Sequence, residues 1–172
     1  MGSHASPFAA DVRGTLDAFR RIVQALRTSS RESERRVGLS AAQLFALQQL
    51  AAVPGASIND LATRTFTHQS SVSVVVQRLV ERKLVAKVTS AEDRRRVRLT
   101  ITDSGRALLR RSPEPVQDRL IAGIAALPPL ERRALVSTLG TIADTLAVSN
   151  GAPPMLFEDD RKGTGRKRAK RH

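Results

Sequence analysis

Cysteine, tryptophan and tyrosine are absent from the 172 residues, and phenylalanine occurs five times. Without a thiol there is no disulfide, no thiolate metal site and no cysteine redox switch. With aromatics at 3% of the chain, the exposed rings on which single-stranded nucleic acid stacks are missing. No apolar run reaches membrane-spanning length and no charged-then-apolar leader opens the chain, so a cytoplasmic protein with no membrane partner is expected. The histidines, His4, His68 and His172, lie far apart with no ligand spacing, so no metal is expected. There is no glycine-rich phosphate loop and no nucleophile elbow. The reading is therefore no enzyme, no catalytic residue and no cofactor. Met1–His4 reads as an expression-tag remnant and is left out of the fold.

What is present in excess is positive charge. The formal net charge is +13, and the tail from Arg161 to His172 holds seven basic residues and no acid, leaving six of the thirteen charges on the body. Such a balance suits a polyanionic partner. The seven are Arg161, Lys162, Arg166, Lys167, Arg168, Lys170 and Arg171. They lack the apolar face of a membrane-surface helix, which leaves nucleic acid as the expected partner.

Hydrophobic residues make up 41% of the chain, enough for a packed core. Behind Ser6-Pro7, an N-cap followed by proline, Phe8, Val12, Leu16, Phe19, Val23 and Leu26 recur at helical spacing. That predicts a helix ending near Arg27 and a polar linker over 28–36. Ser40 opens a second helix closed by Pro54-Gly55. Ser57 and Asp60 form a capping box for a third, through Arg64. A fourth runs from about His68 to Arg82 with Val72, Val75, Val76 and Leu79 on its apolar side. The period then drops to two around Val85–Thr89 and Val97–Ile101, a hairpin with a charged loop. Thr102 caps the next helix, Pro113 interrupts it with Ser112-Pro113-Glu114 as a restart, and Pro128-Pro129 precedes a last helix stopped at Asn150-Gly151.

This order predicts a mostly α fold with a small β-hairpin: a winged helix-turn-helix with N- and C-terminal dimerisation helices. In that arrangement the second helix of the motif enters the major groove of double-stranded DNA. Here it offers His68, Gln69, Ser70, Ser71, Ser73 and Gln77, hydrogen-bonding side chains opposite the apolar stripe. Arg94, Arg95, Arg96 and Arg98 lie at or beside the loop of the wing, and arginine is favoured in a narrow minor groove. The expected DNA-binding residues are therefore His68, Gln69, Ser70, Ser71, Ser73, Gln77, Arg94, Arg95 and Arg96. The apolar stripes of the first and last helices flank no complete core in so short a chain, and a second copy is the simplest partner, giving a homodimer.

The sequence resembles the MarR-type regulators over roughly Leu39 to Leu109. The resemblance rests on Leu39-Ser40-Ala41-Ala42-Gln43, Ile58-Asn59-Asp60-Leu61-Ala62, Gln69-Ser70-Ser71-Val72-Ser73, Glu92-Asp93-Arg94-Arg95 and Leu99-Thr100-Ile101-Thr102-Asp103-Ser104-Gly105. It implies an obligate dimer with interlocked terminal helices and a wing whose Asp-x-Arg matches Asp93 and Arg95, Asp93 steadying the loop. It also implies a repressor released by a small aromatic carboxylate or phenolic ligand. Arg20, Arg21 and Phe19 on the first helix are the candidate ligand contacts. Val74 stands where the family often has arginine, and Lys83 where it has the glycine after the recognition helix. The expected division is 1–36 for the N-terminal dimerisation helix, 37–105 for the DNA-binding domain, 106–148 for the C-terminal dimerisation helices and 149–172 for a basic disordered tail. The expected function is sequence-specific transcription regulation on a palindromic operator. The alternative is a sequence-tolerant architectural DNA-binding protein.

Overall fold

The computed structural model describes residues 6–89, 97–146 and 153–158. Its elements are α1 (Pro7–Val37), α2 (Ala41–Ala52), α3 (Ile58–Arg64), α4 (Gln69–Glu81), β1 (Val85–Thr89), β2 (Val97–Ile101), α5 (Asp103–Leu109), α6 (Val116–Ala125) and α7 (Pro129–Thr145). This is the order of a winged helix-turn-helix with helical extensions.

α1 starts at Pro7, although Ser6 makes no side-chain capping bond. It then runs unbroken for 31 residues and closes on Gly38 at φ 69. The linker expected over 28–36 is thus helix. Glu32 pairs with Arg36 one turn on, at 2.7 Å. Ser30 and Ser33 are buried, and the Ser33 hydroxyl donates to the Leu39 carbonyl at 2.7 Å. These small polar side chains sit where α1 packs on α2, so the buried face carries no apolar rhythm.

Capping boxes set the starts of α2 and α3. Ser40 Oγ accepts from the Gln43 amide while the Ser40 amide donates back to Gln43 Oε1. Ser57 and Asp60 do the same. Leu44, Leu47 and Leu50 of α2 meet Leu61, Val72, Val75, Val76, Leu79 and Leu99 in a fully buried core, each worth roughly 1.5–3 kcal/mol in burial.

The ends of α3 and α4 are closed in the same way. After α3, the Thr67 amide donates to Ala62 O and the Phe66 amide to Thr63 O. After α4, the Leu84 amide donates to Leu79 O and the Lys83 amide to Val80 O. Both are Schellman closures, which need a left-handed residue and usually take glycine. Here Phe66 (φ 52) and Lys83 (φ 58) fill the position.

β1 and β2 pair antiparallel, Val85 opposite Ile101 and Thr89 opposite Val97. The outer edge of β2 is tied to the segment before α3: Gly55 donates to Leu99 O and Leu99 donates to Ala56 O. Thr102 Oγ1 accepts from the Gly105 amide and caps α5. The chain breaks around Pro113 as expected, but α6 restarts behind Pro115 rather than Ser112.

α7 buries none of its residues. Leu130 is 78% exposed and Phe8 of α1 is 76% exposed, with Leu16, Ile22, Val136 and Leu146 also bare. α7 ends at Thr145, ahead of Asn150-Gly151. Pro153–Glu158, assigned to the tail by the sequence, lies against α4, with Met155 5% exposed and part of the core. Among the described residues no helix is long and apolar enough to cross a membrane, and no cluster of His, Asp and Glu is grouped to hold a metal ion.

Candidate nucleic-acid interface

Burial of Val72, Val75, Val76 and Leu79 fixes which face of α4 looks outward. Helical geometry then places Ser70, Ser73, Val74 and Gln77 on one exposed row, with His68 and Gln69 exposed at the leading end. His68 is the N-cap residue but makes no side-chain capping bond. Val74, 47% exposed, puts an apolar patch in the middle of that row.

Two of the expected side chains are spent elsewhere. Ser71 is buried on the flank of α4, and its hydroxyl donates to the Pro153 carbonyl at 2.7 Å. It is therefore removed from the outward row, because a chain segment lies over it. Gln77 stays exposed, but its amide nitrogen donates to Glu81 Oε1 at 3.1 Å and its oxygen accepts from Lys87 Nζ at 3.1 Å. Its amide links the helix to β1, with both ends already engaged.

On the wing, Asp93, Arg94, Arg95 and Arg96 lie outside the described residues. Arg98 is described: it stands opposite Val88 and donates to the Gly55 carbonyl at 3.0 Å. It braces the wing against the turn before α3 and also adds its charge beside Asp60. Asn59, Asp60, Gln69 and Arg98 line a cleft between the wing and the leading end of α4. Arg64 is exposed on the last turn of α3, just before the turn that leads into α4; a single arginine at a helix end carries no periodic signal in the sequence.

The candidate ligand contacts are not brought together. Arg20 is ion-paired with Asp17 at 2.5 Å and lines a shallow depression with Phe8, Val12 and Leu16. Arg21 lines a different one, with Glu32, Pro113, Glu114 and Val116. Phe19 lines neither. Another cavity, of about 350 Å³, opens between the α3–α4 turn (Thr65–His68), α6 (Gln117, Ile121 and Ile124) and Pro153–Leu156. Gln117 on its wall is 5% exposed, and its Oε1 has no hydrogen-bond partner.

Known proteins resemble this chain in sequence and in fold. The family model described as "MarR family" matches residues 37–96. A proposed transcriptional regulatory protein for the hcr operon of Thauera aromatica is 32% identical over 127 residues, which is 74% of this chain and 72% of that protein. The HTH-type transcriptional repressor MdtR of Bacillus subtilis is 29% identical over 101 residues, 59% of this chain and 63% of its own length, so the match spans less than two thirds of that repressor. Among solved structures, Bordetella bronchiseptica BpsR, whose DNA binding is regulated by 6-hydroxynicotinic acid, superposes with a TM-score of 0.50 at 29% identity, over 76% of this chain and 99% of BpsR.

Proposed function

The chain belongs to the MarR family, whose members are DNA-binding transcription regulators rather than enzymes, and from that premise we propose that it is a homodimeric repressor of a palindromic operator, released by a small aromatic acid or phenol. The observation that carries the reading is the outward row of α4: Gln69, Ser70, Ser73 and Val74, exposed and uncharged beside the arginine-bearing wing. An uncharged row adds little to general attraction for phosphate and suits base-edge contact. Gln69 fits the paired acceptor and donor of adenine, and Val74 fits the methyl group of thymine. Attraction falls to the cations around it, Arg64 and the wing residues Arg94, Arg95 and Arg96, with Arg95 directed to the minor groove and Asp93 steadying the loop.

The bare apolar faces of α1 and α7 support the dimer, with 1–36 and 106–148 as its helices and 37–105 as the head. Half-sites then lie about one helical turn apart, ~10 base pairs. The effector reading draws on BpsR, whose regulator is a hydroxylated aromatic acid. Its site in this chain is the cavity at Gln117, not the Arg20, Arg21 and Phe19 surface.

The test is selection of bound sequences from random duplex DNA, followed by affinity measurements on the winner and on single-base variants at one salt concentration. Val74→Ala should lower affinity for the winner and erase preference at one thymine per half-site, a discrimination of ~1–3 kcal/mol. Arg95→Ala should weaken all duplexes. Equal binding of selected and scrambled duplexes would favour the architectural alternative.

A further inference from the structure

The segment Pro153–Glu158 reaches back across the fold to the recognition helix, and it does so through three unlike contacts. The Ser71 hydroxyl donates to the Pro153 carbonyl at 2.7 Å. Met155 is sunk into the core among the head's apolar side chains. Glu158, whose side chain is 6% exposed, pairs with Arg78 at 3.5 Å. The Glu158 amide also donates to the Met155 carbonyl, which turns the segment back on itself. Ser71 and Arg78 are seven residues apart, two turns of α4, so they share one flank of that helix. The segment therefore runs along the flank from near the leading end of α4 towards its last turn. The row Gln69, Ser70, Ser73 and Val74 remains exposed with the segment in place.

We propose that Pro153–Glu158 is a strap that docks on the flank of α4 and holds the recognition helix in its DNA-reading position. The chemistry of the contacts favours this occupant. A buried carboxylate is tolerated only when it is paired, and Arg78 supplies the pair. A flexible thioether fills an irregular apolar site well. Two prolines at 153 and 154 restrict the backbone at the entry, and the Pro153 carbonyl accepts from Ser71. Because the reading row stays open, the strap supports DNA binding and does not block it. The cavity at Gln117 has Pro153–Leu156 as one wall, so a molecule entering there touches the strap directly.

The inference rests on the DNA-reading role of α4, and the experiment separates the two. Met155→Asp and Met155→Leu are made in the full chain, with deletion of 159–172 as a control that removes the basic end and keeps the strap. Hydrogen exchange of the α4 amides reports seating, and affinity for the selected duplex reports reading. Met155→Asp should speed exchange of α4 by about tenfold or more, as expected for loss of one buried large apolar side chain, and should weaken the duplex complex by a similar factor. Met155→Leu should leave both unchanged, and the deletion should leave α4 exchange unchanged. If Met155→Asp unfolds the chain, Glu158→Gln is measured instead and should shift both readouts in the same direction more weakly. Unchanged α4 exchange in these variants would overturn the strap, and tighter DNA binding by Met155→Asp would show that it inhibits. Altered exchange in a chain that binds no duplex at all would instead overturn the DNA-reading role and leave the strap standing.

Discussion

Asp60 and Asp118 are two carboxylates whose surroundings act in opposite directions. The Ser57 amide, and then its hydroxyl, hold the Asp60 carboxyl below the usual range, with the charge of Arg98 assisting against slight desolvation. Burial pushes the Asp118 carboxyl up, and the charge of Glu114 adds to it. Asp118 also accepts from Gln49 Nε2 at 3.3 Å, joining α6 to α2. For Asp60 the folded state prefers the ionised form, so its contribution is present above the unfolded carboxylate range and is lost as pH falls through the lowered folded value. For Asp118 the folded state prefers the protonated form, so its contribution is lost as pH rises from the unfolded value through the raised folded one. Melting temperatures of Asp60→Asn and Asp118→Asn, followed against the parent across the acid range, should diverge. Raising the pH should favour the parent over Asp60→Asn and favour Asp118→Asn over the parent. A common sign for both would contradict this assignment.

Gly105 gives a steric prediction at the same scale. A Cβ there would press on the Leu84 carbonyl and on the Ile101 side chain, closer than real Cβ atoms come. Both belong to the seam between the hairpin and α5, where neither can retreat freely. Gly105→Ala should cost ~1–3 kcal/mol of stability, as overpacking does, measurable by urea unfolding. A neutral result would mean that the seam relaxes.

Among the elements, the turn of the helix-turn-helix and the exit of the recognition helix carry their strain in side chains where glycine would relieve it. A left-handed residue with a Cβ costs roughly 1–2 kcal/mol, and glycine returns roughly 0.5–1 kcal/mol of that through its freer unfolded chain. Phe66 is 78% exposed, so removing its ring forfeits little burial. Phe66→Gly should therefore raise the melting temperature slightly while Phe66→Ala should not, and the pair of variants isolates backbone strain from the packing of the ring. The starts of α2, α3 and α5 were legible in Ser40, Ser57 and Thr102, because capping is local chemistry. The outward face of α4 was legible because four buried apolar residues fix it. The 28–36 stretch of α1 was not, since its burial uses Ser30 and Ser33 rather than an apolar stripe. Nor were the commitments of Ser71, Gln77 and Arg98, whose partners Pro153, Lys87 and Gly55 come from other elements.

For the whole molecule, the proposed dimer would tie stability to association through the bare stripes of α1 and α7. A dimer that buries them should melt at a temperature that rises with protein concentration. Leu16→Glu, which puts a charge in the α1 stripe, should yield monomers in light scattering and abolish the concentration dependence. If the parent is already monomeric at micromolar concentration, the dimer is wrong. The basic end separates from this. Deleting 161–172 should flatten the salt dependence of DNA binding by up to ~0.9 log unit for each phosphate that the end no longer neutralises, and leave sequence preference intact. An unchanged slope would reduce that end to a solubilising role.

The strap also places a condition on synthesis. Ser71 and its acceptor on Pro153 are separated by 82 positions. At roughly 5–20 residues per second, the ribosome delivers the second about 4–16 s after the first. For that interval the flank of α4 has no chain to cover it, and the pocket that will take Met155 is open to chaperones or to a neighbouring nascent chain. Premature stops should therefore fall into two groups. Those before codon 153 should release heads with a mobile recognition helix and a short cellular lifetime. Those after codon 158 should release heads as durable as the full chain, a contrast that pulse-chase labelling of the two truncations would read directly.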